Sequence, residues 1–519
     1  MRTLLIAGLI LLALFAPERA QAVAPDFIIG PAKREVFLEK GQAKSFSVLL
    51  VNRLGKTTDF KMSASALLSD QDGNLVPSTE KLAGLVNFPR EILVKNGETK
   101  TFNVTVAADK NEEPGSRALG IFVEPAGDTT KANISAHSRG GIIVIVKILG
   151  EAIQSGTFSN LKISEGKITL SFANTGSVHL NPYGIVVIKN IFGREVAAEK
   201  IDPWYVMPQT ERNRTIALST ENLFGRYVAS VMLNRGYGDH TDTRTASFYI
   251  FPFWFPVLLA VVLIVLIFWF SKKGLVRGAM ILALLLAGVM NVHAQMSSSN
   301  YKVQFDSVNL GGGLSTSTSY KQESTFGEVA TGESNSANYN IHAGYQQMNE
   351  VFLSMTSAAD VTLAPNLSSL TGGTANGSTT VTVTTDGAAG YALYVNASTS
   401  PALAETADSF ADYVPASANP DFSFSVGNSQ SFFGFSPEGT DTASRFLDNG
   451  GACATGALNT ADSCWDGFTT TTKIISENSG LNTPSGTNTL LKLRAGAGAS
   501  RNQSAGDYTA DITFTALAK

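Results

Sequence analysis

Residues 44–51 read KSFSVLLV, and this stretch decides the fold class of the chain. Its apolar residues Phe46, Val48 and Leu50 alternate with other residues, and residues 101–106 (TFNVTV) repeat the pattern. An apolar residue at every second position lines one face of a strand, as in antiparallel sheets that are buried on one side. The pattern therefore predicts an all-β protein.

Residues 23–149, which surround this stretch, are predicted to form an immunoglobulin-like β-sandwich. Turn-forming residues separate its strands, and residues 140–150 (GGIIVIVKILG) give a more continuously apolar strand that closes the domain. Residues 150–248 predict a second, smaller sandwich, in which Gly193 and Gly225 stand where a hairpin or bulge is expected. Its strands are expected at residues 167–173, 184–189, 215–218 and 227–233.

The remainder of the chain is rich in Ser, Thr, Gly, Asn and Ala. In residues 295–350, Tyr301, Tyr320 and Tyr339 each begin an alternating segment at a spacing of 19 residues, and Gly-rich turns separate the segments. Repeats of this size are single supersecondary elements that need neighbours to bury apolar surface. Residues 351–519 predict a further all-β surface domain with long loops from about 400 to 480. Its strands are expected at residues 379–385, 391–395 and 508–515.

Residues 251–270 are predicted to form a transmembrane helix. Residues 257–270 are an unbroken apolar run, and the aromatic residues before it extend it to about 20 residues, enough to cross a hydrocarbon core of roughly 30 Å. Lys272 and Lys273 follow at once, and basic residues beside a span favour the cytoplasmic side. The folded domains on both sides of the span are therefore expected outside the cytoplasm.

Two other apolar runs have the pattern of secretion signals. Residues 1–22 combine Arg2, a short apolar core and a small-residue end, which predicts a cleaved signal peptide rather than an uncleaved anchor. Residues 271–294 contain a basic turn and an apolar run that ends in Val292-His293-Ala294. We interpret them as a second cleavable signal, the alternative being a second span that closes a hairpin. Cleavage after Ala294 would release the C-terminal half at the cell surface.

Charge is sparse and unevenly distributed. Charged residues make up 16% of the chain and the net charge is −4, which suits an extracytoplasmic β-protein. Residues 295–519 carry 8 basic and 19 acidic side chains, whereas the rest of the chain carries 31 and 24. Screening over about 8 Å keeps any attraction between the halves weak. No dense basic and aromatic patch indicates a nucleic-acid partner.

Cys453 and Cys464 are the two cysteines of the chain. Their close spacing, their flanking Gly, Asn and Asp residues and the expected oxidising compartment predict a disulfide. Such a bridge would stabilise the fold by about 3 kcal/mol in the chain-entropy model. The alternative is a metal or redox pair, but CxxC spacing and nearby histidines are absent from the sequence.

No enzymatic motif stands out, and we expect no catalytic activity, cofactor, metal site or small-molecule substrate. The sequence has no nucleophile elbow, HExxH or P-loop motif. His179, in a turn-rich connection, is the one histidine of interest, and a packed imidazole that donates to a backbone carbonyl is the favoured interpretation. Residues 70–74 (DQDGN) resemble a calcium loop but lack its terminal Glu, and a hairpin turn is favoured there.

The N-terminal half resembles the WxL-interacting surface proteins of bacteria. Residues 30–150, with the Asp-Gly-Asn turn at 72–74, resemble the first domain of that family. Residues 174–176 (NTG), followed by His179 and Gly184, are similar to its second domain. In that family two immunoglobulin-like domains precede one membrane span and a short basic tail, so the resemblance implies the same arrangement here.

The C-terminal half resembles a WxL-type cell-surface domain. Residues 370–373 (LTGG), 389–395 (AGYALYV) and 505–515 (AGDYTADITFT) carry the resemblance. Neither Trp-x-Leu signature of that family is intact, since Phe514 stands at the closing strand and Trp465 is followed by Asp and Gly. Proteins of the two families associate at the bacterial cell wall, so the resemblance implies a partnership between the two halves.

Together these features predict a membrane-anchored cell-surface protein that binds noncovalently. Residues 23–248 would hold a WxL-type surface protein or peptidoglycan at the envelope, and residues 295–519 would be that surface component. Exposed strand edges are the expected binding element, because an unpaired edge is a template for strand addition. The alternatives are a chaperone-like assembly factor for surface subunits and an adhesin that binds external cells.

Overall fold

The structure, a computed structural model, is almost entirely β. It describes residues 25–70, 73–78, 85–126, 132–164, 167–217, 225–250, 311–316, 321–326, 332–335, 340–343, 350–368 and 371–519. The predicted signal peptide at 1–22, the predicted span at 251–270 and the signal-like segment at 271–294 lie outside these ranges. Within the described ranges, no helix has the length and apolar character needed to cross a bilayer.

The first domain is a sandwich of two sheets, as the alternating pattern predicts. Its strands are β1 (Asp26–Gly30), β2 (Lys33–Leu38), β3 (Ala43–Arg53), β4 (Thr58–Ser69), β5 (Leu75–Pro77), β6 (Val86–Asn87), β7 (Glu91–Val94), β8 (Thr99–Ala107), β9 (Gly115–Pro125) and β10 (Ile134–Ile148). One sheet runs β1-β3-β8-β6; in the other, β9 lies between β4 and β10, and β2 pairs with β10 in parallel. Phe46 of β3 faces Val104 of β8 across the ladder, and both are buried.

The second domain is a separate sandwich with its own core. Its strands are β11 (Gly156–Ser164), β12 (Lys167–Asn174), β13 (Tyr183–Asn190), β14 (Glu195–Ile201), β15 (Thr210–Ala217), β16 (Gly225–Asn234) and β17 (Thr241–Ile250). The two sheets run β11-β12-β15 and β14-β13-β16-β17. Phe172 and Trp204 meet edge to face in the core, with ring centroids 6.5 Å apart. The four predicted strands are present, and β11, β14 and β17 were not predicted.

The C-terminal domain is also a two-sheet β structure. Its strands are β22 (Leu353–Thr356), β23 (Gly373–Thr385), β24 (Tyr391–Ala397), β25 (Leu403–Ala404), β26 (Ser409–Asp412), β27 (Ser431–Glu438), β28 (Asp466–Gly467), β29 (Lys473–Glu477), β30 (Thr487–Ala497) and β31 (Ala510–Ala518), with a 3-10 helix at Ser444–Phe446. The prediction of long loops from about 400 to 480 is wrong in part, because β25 to β29 lie there. β27 (SFFGFSPE) is buried on both faces and therefore lacks the alternation that marks a strand in the sequence.

Between residues 294 and 350, the described residues form two short hairpins. Their strands are β18 (Gly311–Thr316), β19 (Lys321–Phe326), β20 (Gly332–Asn335) and β21 (Asn340–Ala343). β18 pairs with β19 and β20 with β21, both antiparallel. The Gly-rich stretch at 311–316 was predicted as a turn but forms a strand, because Gly residues do not prevent ladder pairing with a neighbour.

The first and C-terminal domains, predicted as separate units, share both of their sheets. β22 pairs with β1, and β31 pairs with β10. One hydrophobic core extends through both domains, from Phe27 and Val144 on one side to Leu493 and Phe514 on the other. The predicted boundaries at 149 and 351 therefore separate the domains along the sequence but not in space. The reason is that each domain leaves a sheet edge open that the other fills.

Candidate functional site

The candidate site is the junction at which β10 leaves the first domain and enters the C-terminal domain. Residues 143–148 of β10 pair in parallel with β2, inside the first domain. Residues 134–141 pair instead with residues 510–517 of β31, also in parallel. The other edge of β10 is paired with β9 only from Gly140 onward. The earlier part of β10 therefore extends beyond its own domain.

The part of β10 that extends beyond the first domain, residues 134–138, is called the inserted segment below. On the edge opposite β31, Ile134 and Val361 exchange two backbone hydrogen bonds of 2.9 Å each. Further along, the backbone N–H of Ala136 donates to Asp360 Oδ1 at 3.0 Å. The inserted segment thus contacts the C-terminal domain along both of its edges. It lies between β31 on one side and residues 360 and 361, which follow β22, on the other.

Side-chain hydrogen bonds fix the two ends of the inserted segment. Ser138 Oγ accepts the backbone N–H of Ala358 at 2.8 Å, and this bond is buried. At the other end, Asn133 Oδ1 accepts the backbone N–H of Leu363 at 3.2 Å. These bonds satisfy backbone donors of the C-terminal domain that would otherwise be left without partners, so they favour one register.

The inserted segment contributes alternate side chains to the shared core. The inward-facing positions of this stretch are Ile134, Ala136, Ser138 and Gly140, all buried. In the parallel ladder Ala136 lies opposite Ile512, and Ser138 lies opposite Phe514. Three of the four inward residues are small, so neighbouring strands supply the large side chains of this part of the core: Ile512 and Phe514 of β31 beside Ala136 and Ser138, and Ile29 and Phe27 of β1 beside Gly140.

A second junction joins the opposite sheets. Phe27 of β1 lies opposite Met355 of β22, and both are buried. Asp26, also buried, accepts hydrogen bonds from the guanidinium of Arg53, with 2.7 Å between Nε and Oδ1, and from the hydroxyl of Ser354. A buried carboxylate needs such donors, and one of them belongs to the C-terminal domain. Asp26 therefore links the two domains through its hydrogen bond with Ser354.

Charged groups line the outer face of the inserted segment. His137 Nδ1 lies 3.1 Å from Glu124 Oε1, and this hydrogen bond raises the pKa of His137 above its ordinary value. Arg139 donates from Nε to Thr515 Oγ1 at 2.7 Å and lies 4.5 Å from the ring centroid of Phe122. Burial lowers the pKa of Arg139, and the charge of Glu124 opposes that shift. These contacts connect β9, β10 and β31.

The second domain reaches this junction through a half-buried basic cluster. The hydroxyl of Tyr394, on β24, donates to the carbonyl of Leu75 at 3.2 Å, and burial raises the pKa of that hydroxyl. Lys33 lies 5.8 Å from the ring centroid of Tyr205. Burial, together with the charges of Arg212 and Arg214, lowers the pKa of Lys33 to about 7. All three domains meet here.

His179, singled out in the sequence, lies at the contact between the first and second domains. Its Nδ1 is 2.8 Å from the hydroxyl of Ser116, and its Nε2 is 3.6 Å from Glu35 Oε1. Asn181 Nδ2 donates to the same Glu35 oxygen at 3.1 Å. The imidazole is therefore packed in a turn connection, as favoured, but its partners are side chains rather than a backbone carbonyl.

The predicted disulfide is present and belongs to a loop of the C-terminal domain. Cys453 and Cys464 are bonded, with Cα atoms 5.7 Å apart, and both are buried. Nearby, Asp448 accepts the backbone N–H groups of Gly450 at 2.7 Å and Thr460 at 2.9 Å. These backbone donors lower the pKa of the Asp448 carboxyl against the opposing effect of burial. The bridge thus supports the loop.

In the stretch that weakly resembles a calcium loop, Asp70 Oδ1 accepts the backbone N–H of Asn74 at 2.8 Å. Gly73 has a φ of +77°, a conformation that glycine adopts without strain. Both observations fit the hairpin turn. Across the described residues, no group of three or more His, Cys, Asp or Glu side chains is arranged to hold a metal ion.

Comparison with known proteins gives structural resemblances only. No family model matches the chain, and no curated protein matches it significantly. The class 5 fimbriae chaperone CfaA is similar at 14% identity, covering 43% of this chain and 100% of that one, with a TM-score of 0.26. The E. coli chaperone DraB is 12% identical over 44% and 98% of the two chains, with a TM-score of 0.22.

A complex is among the similar structures as well. It is the pre-assembly complex of the chaperone CsuC and the tip adhesion subunit CsuE from the Csu pili of Acinetobacter baumannii. The match is 14% identical, covers 42% of this chain and 97% of that one, and has a TM-score of 0.24. Scores this low do not assign a function to the chain.

The sequence did not reveal the residues that form the junction. Residues 134–139 (ISAHSR) precede the apolar run of β10, and their small and polar composition resembles a loop. One signal was available, since Ile134, Ala136 and Ser138 alternate with more polar residues in step with the strand that follows. The alternation that is typical of a strand therefore begins at Ile134, before the apolar run.

Proposed function

We propose that this chain is a noncatalytic binding protein of the cell envelope, whose first domain stabilises and retains an incomplete β-domain by strand addition. The observation that carries the proposal is the inserted segment, residues 134–138, paired on one edge with β31 and bonded on the other to residues 360 and 361. In this chain the retained domain is the C-terminal one.

Energetics support a stabilising role for the inserted segment. Without it, β31 would expose a row of unpaired backbone groups and the buried ring of Phe514 would meet water. Each net backbone hydrogen bond contributes about 1 kcal/mol, and burial of one large apolar side chain contributes about 1.5 to 3 kcal/mol. The C-terminal domain thus depends on the first domain for a part of its fold.

A transient, chaperone-like role is the second candidate, and the composition of the inserted segment favours it. Ala136, Ser138 and Gly140 bury little apolar surface compared with the Ile and Val residues of the same strand. A cleft also runs beside the segment and is lined by Ala136, Ser138, Ala358, Thr380, Thr382 and Asn488. Binding through such a segment is weaker than binding through a fully packed strand. It would therefore allow later release of the C-terminal domain.

The envelope setting of the proposal comes from the sequence. Residues 251–270 would anchor the first two domains at the outer face of the membrane, and cleavage after Ala294 would leave the C-terminal domain held noncovalently, by its strand pairing and the shared core. A WxL-type surface protein or peptidoglycan remains the partner that we propose for the assembled surface. Within the part of the chain that the structure describes, no observation favours the adhesin alternative.

Cleavage of the full chain tests this proposal. A protease site placed after Ala294 would be cut in purified protein that is immobilised through a tag at the N-terminal end of the mature chain. Retention of the C-terminal half after cleavage supports strand-mediated binding, and immediate loss of a folded C-terminal half overturns it. The time course of loss separates the two roles: release over minutes to hours indicates a chaperone-like role, and retention over days indicates a resident one.

A further inference from the structure

The hairpin between β13 and β14 presents two large apolar side chains to solvent. Phe192 is 86% exposed and Ile191 is 66% exposed, the first being the most exposed large apolar side chain among the described residues. Single exposed apolar residues are common on protein surfaces and need no explanation. Two neighbouring ones at the end of a hairpin, including a phenylalanine, are a candidate contact surface.

The turn that carries them is rigidly built. Asn190 Oδ1 accepts the backbone N–H groups of both Phe192 and Arg194 at 3.0 Å. The backbone N–H of Asn190 donates to the carbonyl of Arg194, and Gly193 supplies a φ of +74°. The turn therefore holds the two side chains outward without help from any other part of the protein, so a surface that receives them orders little chain on contact.

The position of the hairpin tip, residues 191–193, is set by the sheet register. Asn190 lies opposite Tyr227 near the start of β16, and Gly225 lies opposite Ile250 at the end of β17. The tip and the end of β17 are therefore at the same edge of the second domain. The next residue after Ile250 begins the apolar run 251–270.

The charged and aromatic residues at this edge are of the kinds expected close to the apolar run 251–270. Lys189, Arg194 and Arg226 are exposed around the tip, with Glu195 as the acidic neighbour. Tyr249, which lies opposite Arg226 in the ladder, is 65% exposed. Aromatic side chains concentrate at the depth of lipid headgroups, and basic side chains near a membrane surface interact with anionic headgroups.

We infer that the hairpin tip inserts into the interface of the lipid bilayer beside the membrane span. Phe192 and Ile191 enter the boundary between headgroups and acyl chains, and the basic side chains contact lipid phosphates. Together with the span, this second contact fixes the orientation of the domains above the membrane. The inference rests on the proposed placement of residues 251–270 in a membrane.

Fluorescence quenching in reconstituted full-length protein tests the inference. Because both native cysteines are bonded, a single introduced cysteine can carry an environment-sensitive NBD group. We would compare Ile191→Cys at the tip, Thr241→Cys at the opposite end of the same sheet and Val262→Cys in the apolar run, in vesicles that contain anionic phospholipid and doxyl-labelled lipid. The expected result is a blue-shifted, lipid-quenched signal at positions 191 and 262 and an unquenched signal at position 241.

The three positions distinguish the possible failures. A quenched label at 262 with an unquenched label at 191 overturns the insertion of the tip and leaves the span intact. An unquenched label at 262 overturns the membrane placement and the inference with it. Adding Phe192→Ser to the Ile191→Cys protein should reduce quenching at 191 without changing quenching at 262, because the tip would lose its main apolar group.

Discussion

The two halves of β10 belong to one strand but differ in composition and surroundings. Residues 142–146 read IIVIV, are buried on both faces and lie between β9 and β2 of the first domain. Residues 134–138 read ISAHS, alternate between buried and partly exposed, and lie inside the C-terminal domain. One half is thus a central strand of its own domain, and the other completes a neighbour.

The difference shows that one long strand can serve the fold of its own domain with one part and bind a neighbouring domain with the other. The bulky half pairs with β2 and β9 inside its own sandwich, and its outward side chains Ile143 and Ile145 also pack against Met207 of the second domain and Leu517 of the C-terminal domain. The small half relies on side chains from another domain and gains its order from pairing with β31. Mutations in the two halves should therefore differ in extent: those in the bulky half should unfold the first domain and lose the junction with it, and those in the small half should affect the junction alone.

The largest effect is expected from Val144→Asp, in the bulky half. Val144 is fully buried, so an unpaired carboxyl at this position should cost more than about 4 kcal/mol and unfold the first domain. Loss of the first domain removes the inserted segment as well, so both domains should lose their calorimetric transitions. Val144→Ala is the matched control, with an expected cost of roughly 2 kcal/mol. Survival of the junction in the Asp variant would contradict the shared core.

Ala136→Asp, in the small half, should act on the junction alone. The new carboxyl would be buried opposite Ile512, close to the carboxylate of Asp360, at an expected cost of about 2 to 4 kcal/mol. The C-terminal domain should become sensitive to limited proteolysis while the first and second domains stay resistant. Ser135→Asn, a neutral change on the outer face opposite Asp511, should cost less than about 1 kcal/mol. Equal effects of the two variants would show that residues 134–138 are not inserted.

Asp26→Asn should produce an intermediate effect at the second junction. The amide cannot accept the hydrogen bonds of both Arg53 and Ser354 as the carboxylate does, and the expected cost is about 1 to 3 kcal/mol. Urea denaturation, monitored by the sensitivity of the C-terminal domain to proteolysis, measures this loss of stability. Ser354→Ala, which removes one donor, should cost about 1 kcal/mol. A larger loss for Ser354→Ala than for Asp26→Asn would contradict the assigned roles.

The smallest effect is expected from pH. The hydrogen bond to Glu124 raises the folded-state pKa of His137 above its ordinary value of 6.5. The charges of Asp511 and Asp360, both in the C-terminal domain, also raise this pKa, so the protonated ring stabilises the junction below about pH 6.5, and this contribution is lost as the pH rises through the raised pKa. The urea midpoint of the junction should decrease over that interval, and His137→Gln should remove that part of the pH dependence. The same pH profile in both proteins would exclude His137 as its source.

Much of the fold could be predicted from the sequence, because alternation survives wherever a sheet has one face in water. The residues of β3, β8, β12 and β16 carry that pattern, and the close cysteine pair indicated the bridge between Cys453 and Cys464. β27 escaped prediction because both of its faces are buried, and short strands such as β25 and β28 carry too few residues for a period.

The junction could not be located from the sequence, although strand edges were expected to bind. The pairing of strand edges depends on which edges each sandwich leaves unpaired. This in turn depends on the order of the strands in the folded sheets, which the sequence pattern does not give. Ala136 and Ser138 resemble loop residues because the apolar residues opposite them in the ladder, Ile512 and Phe514, lie 376 residues further along the chain. Asp26 likewise gave no sign of its partner Ser354.

Hydrogen exchange of backbone amides in the full chain tests the central claim most directly. If residues 134–138 are a strand of the C-terminal domain, the amides of Ile134 and Ala136 should be strongly protected, and Ala136→Asp should abolish this protection together with that of β31. Residues 143–148 should keep their protection in the same variant. Rapid exchange at residues 134–138 in a wild-type chain whose C-terminal domain remains protected would contradict the account.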